Sequence, residues 1–362
     1  MIFFLNILDL SIYEFIELSY STLAYFTEKN QKIFITHNFY STISNYSKLK
    51  IEKFLNLISL DLNEAKTYSK KKFNENNIGL HITEESPLSK FPLLKIEDNY
   101  FCYSPELLNS GIKNFIYDYL KNKEKNNFCE KFGNVFEQYI ELGLNSISAN
   151  YIDEIQIKKI FNKSKVIDYI VDFDDCCLLI EAKAVEMNYF ARINPINEVL
   201  NENFKKNIIK AVEQIYSLID SNNKEIQLTN LKEKEIFAFV ITYKQHYLGP
   251  GEEFWDELLY DSLNTFFQNS NIDPKILNPG RIFYIDISEF DTFIHCIYNN
   301  KNPYDILKKA FEFNTNSSKF NKKHTFLQHL ETDELYVDNC PQYASEQFKI
   351  MHNNLLKNIS VP

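Results

Sequence analysis

An α/β fold with a mixed central sheet flanked by helices, preceded by a mostly helical N-terminal region, is the class this sequence predicts. Three observations carry it. From about residue 110 onward, helix-like stretches and apolar strand-like runs follow in the order helix, three strands, helix, strand, helix, strand. Residues 1 to about 75 instead carry apolar residues at three- and four-residue spacing, the period of a helix face. Between the two lies "EESPLSKFPLLKIEDNYFCYSPELL" (84–108), whose three prolines and short aromatic strand read as a connecting segment. The expected division is a helical region over 1–95, a main domain over 96–314 and a polar C-terminal extension over 315–362.

The elements follow in chain order. "SIYEFIELSYSTLAYF" (11–26) and "KLKIEKFLNLISL" (48–60) are helical in the first region. "LLNSGIKNFIYDYLKN" (107–122) and "EKFGNVFEQYIELGLNSI" (130–147) have the apolar stripe of amphipathic helices. "IDEIQIKKIF" (152–161), "KVIDYIVDF" (165–173), "CCLLIEAKA" (176–184) and "EIFAFVITYK" (235–244) read as strands. A long helix, "INEVLNENFKKNIIKAVEQIYSLID" (196–220), lies between the last two. A helix over 251–267, a strand running into a helix from 280, and a helix over 303–313 complete the domain.

The chain has 362 residues, 44% of them hydrophobic, enough for one large core or two smaller ones. Its net charge of −10 counts against a passive, histone-like DNA binder, because phosphate neutralisation drives such affinity. It leaves room for an enzyme that works through a local lysine patch and a metal ion. Lysine has to supply nearly all the cations, since Arg192 and Arg281 are the only arginines. The clusters "SKKKF" (69–73), "KKIFNKSK" (158–165) and "FKKNIIK" (204–210) are the candidate patches, against the ordinary alternative of a solvated face. The six cysteines form no CxxC pair and no ligand spacing with histidine, which points to reduced thiols and no zinc or iron–sulfur site. The apolar start "MIFFLNILDLSIYEF" lacks a basic leader and is broken by Asn6 and Asp9; it predicts a buried first strand or helix in place of a signal peptide or membrane span, and the reduced thiols point to a cytoplasmic protein. No GxxxxGK[ST] loop is present, so an ATP-driven activity is not expected.

One stretch breaks the rules of its own element. "VIDYIVDFDDCCLLIEAKA" (166–184) reads as two apolar strands, yet Asp168, Glu181 and Lys183 stand where a strand normally carries Val or Ile. If Asp174 and Asp175 form the turn, Phe173 pairs with Cys176, and counting back sets Asp168 across from Glu181. Lys183 then shares a face with Glu181, because side chains alternate along a strand. Opposed carboxylates destabilise a hairpin unless a cation lies between them. A hard divalent ion, Mg²⁺ with Mn²⁺ as the alternative, is the natural occupant. Asp-Asp is not a favoured two-residue turn, so a longer loop remains open at this point.

Asp168, a short hairpin, and the apolar run "CCLLI" leading into Glu181-Ala182-Lys183 resemble the PD-(D/E)xK nuclease superfamily, over roughly residues 110–245. Glu137 in "FGNVFEQYI" and Gln214 in "KAVEQIYSLI" resemble the helical glutamate and glutamine of its exonuclease-like and defence-associated branches. The tyrosine expected four residues after the glutamine is replaced by Leu218, with Tyr216 nearby, and Val166 and Ile167 stand where the superfamily's proline would be. The resemblance implies a restriction-endonuclease-like core and hydrolysis of nucleic acid, DNA before RNA, in a role such as anti-phage or mobile-element defence. It implies that Asp168, Glu181, the Ala182 carbonyl and Glu137 hold the metal. Lys183 would orient or deprotonate the attacking water or stabilise the anionic transition state, and Gln214 would orient Lys183 or a phosphate. Lys205, Lys206 and Lys210, at the start of the following helix, are the expected contacts to the phosphate backbone, which position without specifying sequence. A homodimer or a protein partner is compatible with the chain. The alternatives are a catalytically silent scaffold or sensor subunit of the same fold, and an RNA-directed nuclease with the same site.

Overall fold

The computed structural model describes residues 9–27, 33–44, 46–72, 88–124, 126–187, 200, 202, 204, 207–225, 227–246 and 248–332. The chain divides into two compact units, within Met1–Cys129 and Glu130–Ser345.

The first unit contains helices α1 (Ile12–Thr27), α2 (His37–Ile43), α3 (Lys48–Leu57), α4 (Leu62–Lys72) and α5 (Pro105–Glu124). It is not purely helical. A four-stranded sheet joins β1 (Phe34–Ile35), β2 (Ser59–Asp61), β3 (Leu93–Ile96) and β4 (Asn99–Cys102) in the order β1-β4-β3-β2, with β2 and β3 parallel and the other pairs antiparallel. Strands of two to four residues are too short to show a period of their own, which is why the sequence reads as helical here. Leu93, Tyr100, Leu108, Ile112 and Phe115 are buried in one cluster with Phe15, Leu18, Tyr40 and Phe54. This shared core carries the first unit beyond the boundary expected at 95/96.

The second unit is an α/β assembly around a five-stranded mixed sheet of order β5-β6-β7-β8-β9. Helix α6 (Asn126–Ser146) leads into β5 (Asn150–Asp153), helix α7 (Glu154–Phe161), β6 (Tyr169–Asp172) and β7 (Cys176–Lys183). Helices α8 (Ile208–Lys224) and α9 (Asn230–Glu233) then connect to β8 (Glu235–Thr242). A helical stretch, α10 (Gly251–Phe254), a π-helical turn (Trp255–Leu259) and α11 (Tyr260–Ser270), precedes β9 (Ile282–Asp286). The unit continues through α12 (Ile287–Tyr298), α13 (Pro303–Asn316) and α14 (Phe326–Thr332). β5, β6 and β7 form an antiparallel meander, and β7, β8 and β9 run parallel, joined by helical crossovers.

The expected strand over 152–161 is a correction: the chain leaves β5 at Asp153 and becomes helical at once. Asp153 accepts the Gln156 N–H at 2.8 Å while Gln156 returns a bond to the Asp153 N–H at 3.0 Å, a reciprocal cap that starts a helix. Asn162, in the left-handed region, ends it. The strand expected from 165 begins only at Tyr169.

β7 explains how the sheet is held. Every residue from Cys176 to Ala182 is buried, as a central strand covered on both faces requires. Cys177 and Leu179 lie in a core with Ile170, Val240 and the apolar stripe of α8, including Ile208, Val212 and Ile215. Cys176, Leu178, Ile180 and Ala182 lie in a second core with Phe136 and Ile140 of α6, Phe239, Phe290 and Phe293. Phe326 and Leu330 of α14 are buried in that same core, so the start of the region expected as a C-terminal extension, up to residue 332, belongs to the second unit. No helix among the described residues is long and apolar enough to cross a membrane.

Candidate functional site

The β6–β7 pairing has the register anticipated from the two-residue turn: Tyr169 faces Ile180, Asp172 faces Cys177, and the Phe173 N–H donates to Cys176 O at 3.0 Å. One step beyond the ladder, Asp168 lies at the level of Glu181. Its N–H donates to Ile180 O at 3.1 Å, and its Oδ2 accepts the Ala182 N–H at 2.6 Å. Glu181 continues the face of Cys177 and Leu179 that α8 covers, and is only 2% exposed. Lys183, two residues on and at the mouth of the same face, donates to Glu181 Oε1 in an ion pair. The other carboxylate oxygen, Glu181 Oε2, is buried with no hydrogen-bond partner.

Burial beside like charge shapes the electrostatics. Burial pushes the Asp168 carboxyl up to about 8, with the Glu181 and Glu137 charges adding to the effect and the Ala182 N–H and Lys183 opposing it. Burial pushes Glu181 up to about 7 although the Lys183 ammonium pulls it down. Burial thus favours keeping a proton on the pair, and a cation in its place would relieve the same cost. That is the condition a divalent ion relieves, and the unpartnered Glu181 oxygen is a ligand atom that fits it. Among the described residues no group of three or more His, Cys, Asp and Glu side chains is drawn together closely enough to enclose a metal ion. The donor set is thus an open face of two carboxylates and a nearby main chain. Mg²⁺ is commonly held in this way, by one or two carboxylates, keeping waters and taking substrate phosphates.

Glu137 is brought towards this face by α6. The Tyr169 hydroxyl, on the residue after Asp168, donates to Glu137 O at 3.0 Å and fixes the helix beside β6. The Glu137 side chain is partly buried, and its carboxyl is raised by burial and by Glu154 and lowered by Lys183 and Lys158. Gln214 stands elsewhere than expected: its Nε2 donates to Val166 O at 2.6 Å, tying α8 to the segment that delivers Asp168, with no bond to Lys183. Tyr216 is a core residue, its hydroxyl donating to Leu277 O at 2.7 Å. Lys210 is exposed on the first turn of α8, while Lys205 and Lys206 lie outside the described residues. Asp172, on the same strand face as Asp168, is engaged by Lys234 at 2.7 Å and Asn230 at 2.5 Å. Glu186 pairs with Lys244 at 2.6 Å.

Sequence reasoning passed over Glu154. It opens α7, and its charge acts on both Glu137 and Glu181. The Asp153-x-x-Gln156 cap, which ends β5 opposite Tyr169, is the signal that places it at the start of a helix. No known family model matches the chain, and no curated protein matches it.

Proposed function

We propose that this protein is a divalent-metal-dependent nuclease with a restriction-endonuclease-like core, acting on DNA in preference to RNA. The observation that carries the reading is the β6–β7 register: it sets the buried Glu181 across from the half-buried Asp168, with one Glu181 oxygen lacking a partner and a lysine on the same face. A buried acceptor left unsatisfied costs about 1–3 kcal/mol. A scaffold strand would replace such residues with apolar ones; a cation site uses them.

Asp168, Glu181 and the Ala182 carbonyl would hold Mg²⁺, with Glu137 at the side of the site. The bound ion would supply polarisation of the scissile phosphate and an acidified water. The protein's own groups do the rest. Lys183, already beside Glu181, presents its ammonium to the charge that develops on the phosphoryl oxygens. Gln214 acts as a positioning residue, holding the Val166 carbonyl and so the backbone path into Asp168. Lys210 is the described cation at the start of α8 that would meet the phosphate backbone.

The direct test is cleavage of plasmid, single-stranded DNA and RNA in Mg²⁺ or EDTA, with Lys183→Ala and Asp168→Asn beside the wild type. Cutting of DNA that needs Mg²⁺ and is lost in both variants is the expected result. Cutting of RNA alone would move the substrate to the RNA-directed alternative. No cutting, together with a Mg²⁺-induced rise in melting temperature that Asp168→Asn abolishes, would favour the silent scaffold. The net charge of −10 gives that second reading its one point of support.

A further inference from the structure

A histidine with one committed nitrogen stands in the wall of the cleft between α13 and α14. His329 is 7% exposed, and its ring lies against Phe313 and Phe326, with centroids 5.7 and 6.4 Å away. Its Nε2 is 3.1 Å from Asn314 Nδ2. The Lys323 main chain sets the orientation of that amide: its N–H donates to Asn314 Oδ1 at 3.0 Å, and its carbonyl accepts from Nδ2 at 3.4 Å. Asn314 therefore presents an N–H donor to Nε2. That nitrogen accepts it only without a proton of its own, so the single proton of the neutral ring sits on Nδ1. Burial, with the Lys323 ammonium, holds the ring down to about 4, in keeping with a neutral imidazole. Among the described residues no acceptor takes the Nδ1 proton, and Nδ1 is not sealed from solvent.

The rest of the cleft has the composition of an anion site. Its volume is 370 Å³, inside the range of about 300–1,000 Å³ in which proteins hold small molecules. Lys323 and Lys309 bring two cations to it against the single carboxylate of Glu312, and Ala310 and Phe313 give it an apolar wall. The Lys323 Nζ stands 4.4 Å from the centroid of the Phe313 ring, and Phe313 is 40% exposed. We propose that this cleft binds a small organic anion, a phosphate or carboxylate head on a flat apolar body. The head accepts the His329 Nδ1 proton and meets the Lys323 ammonium, as a charge-assisted pair of donors requires. The body lies along Ala310 and Phe313. The inference stands on its own geometry and does not depend on the metal-site reading.

The test is titration of the full chain, in EDTA so that no metal takes part, with phenyl phosphate, benzoate, inorganic phosphate and phenol. Calorimetry reads the affinity, and NMR of the histidine rings reads the site. Phenyl phosphate or benzoate is expected to move the His329 Nδ1–H resonance. It should also bind about tenfold more tightly than inorganic phosphate or phenol, because only the organic anion uses both the donors and the apolar wall. Lys323→Met should weaken that binding about tenfold, the scale of one hydrogen bond to a charged group. Lys322→Met is the control: this neighbouring lysine pairs with Glu252 and Glu253, each at 3.6 Å, and its loss should leave the affinity unchanged. The ring signal is read on the wild type, so the test does not depend on whether a variant of the buried histidine folds. A His329 signal that neither organic anion moves overturns the inference, as does equal affinity of Lys323→Met and the wild type. Inorganic phosphate binding as tightly as phenyl phosphate would overturn the organic ligand.

Discussion

At Asp168 the charge that the proposed metal site needs and the burial that the fold imposes oppose each other. The residue enters β6 with its Oδ2 on the Ala182 N–H, in a position that an apolar strand would fill with Val or Ile. Its carboxyl is raised from the ordinary value of 3.8 to about 8, and that of Glu181 from 4.5 to about 7. The sign of the linkage follows. Between the unfolded and folded values the native state binds more protons than the unfolded chain, so stability falls as pH rises through this window. The metal-free protein should therefore lose melting temperature between pH 5 and pH 8, on top of any background trend. Mg²⁺ should flatten the loss by occupying the place of the proton, and its affinity should rise with pH over the same interval. Asp168→Asn should remove most of the slope and melt above the wild type in EDTA at pH 8. Melting curves across that range, with and without Mg²⁺, decide it; a metal-free stability that rises from pH 5 to 8 and is unaffected by Asp168→Asn would contradict the buried carboxylate pair.

At the scale of elements, what the sequence made legible was what periodicity and turn chemistry can report. The hairpin register was readable because Asp174 and Asp175 break two apolar runs, and because Glu181 and Lys183 interrupt β7 on one parity while Ile180 and Ala182 stay apolar on the other. α7 was not readable as a helix. Ile152, Ile155, Ile157 and Ile160 are spaced three, two and three apart, which suits a strand nearly as well as a helix face. The deciding feature is local: Asp153 and Gln156 satisfy each other's backbone donors, and only Ile157 of the helix is fully buried. Helix α7 thus depends on its cap more than on its apolar face. Asp153→Ala should lower stability by about 0.5–2 kcal/mol, measured by urea denaturation. A loss of stability below that range would mean that packing of Ile157 alone sets the helix. Gln214 shows a second limit: its position on a helix following the core was visible, but its partner, Val166 O on a segment 48 residues earlier, exists only after folding.

At the scale of the whole molecule, the excess of acid sets how a nucleic acid would have to be held under the proposed function. A net charge of −10 repels a polyanion at a distance, so binding has to rely on a few close contacts and on the neutralising ion. Among the described residues around the site, Lys183 and Lys158 are each committed to a carboxylate, to Glu181 and Glu154 respectively, and Lys210 is exposed on α8. Each cation that moves to a phosphate leaves a carboxylate behind, and that carboxylate is compensated when the divalent ion is present. Affinity for DNA and metal binding should therefore be coupled. The expectation is that a Lys183→Ala variant, which keeps the carboxylates proposed to hold the metal and should lose the proposed cutting, binds duplex DNA detectably in Mg²⁺ and not in EDTA. The slope of log affinity against log salt should lie at about −2, corresponding to the two phosphates that the remaining Lys158 and Lys210 would neutralise. Fluorescence anisotropy over a salt series at fixed Mg²⁺ measures both. A slope of about −6 or steeper, or equal binding in EDTA, would mean that an extended basic track away from Asp168 and Glu181 holds the nucleic acid.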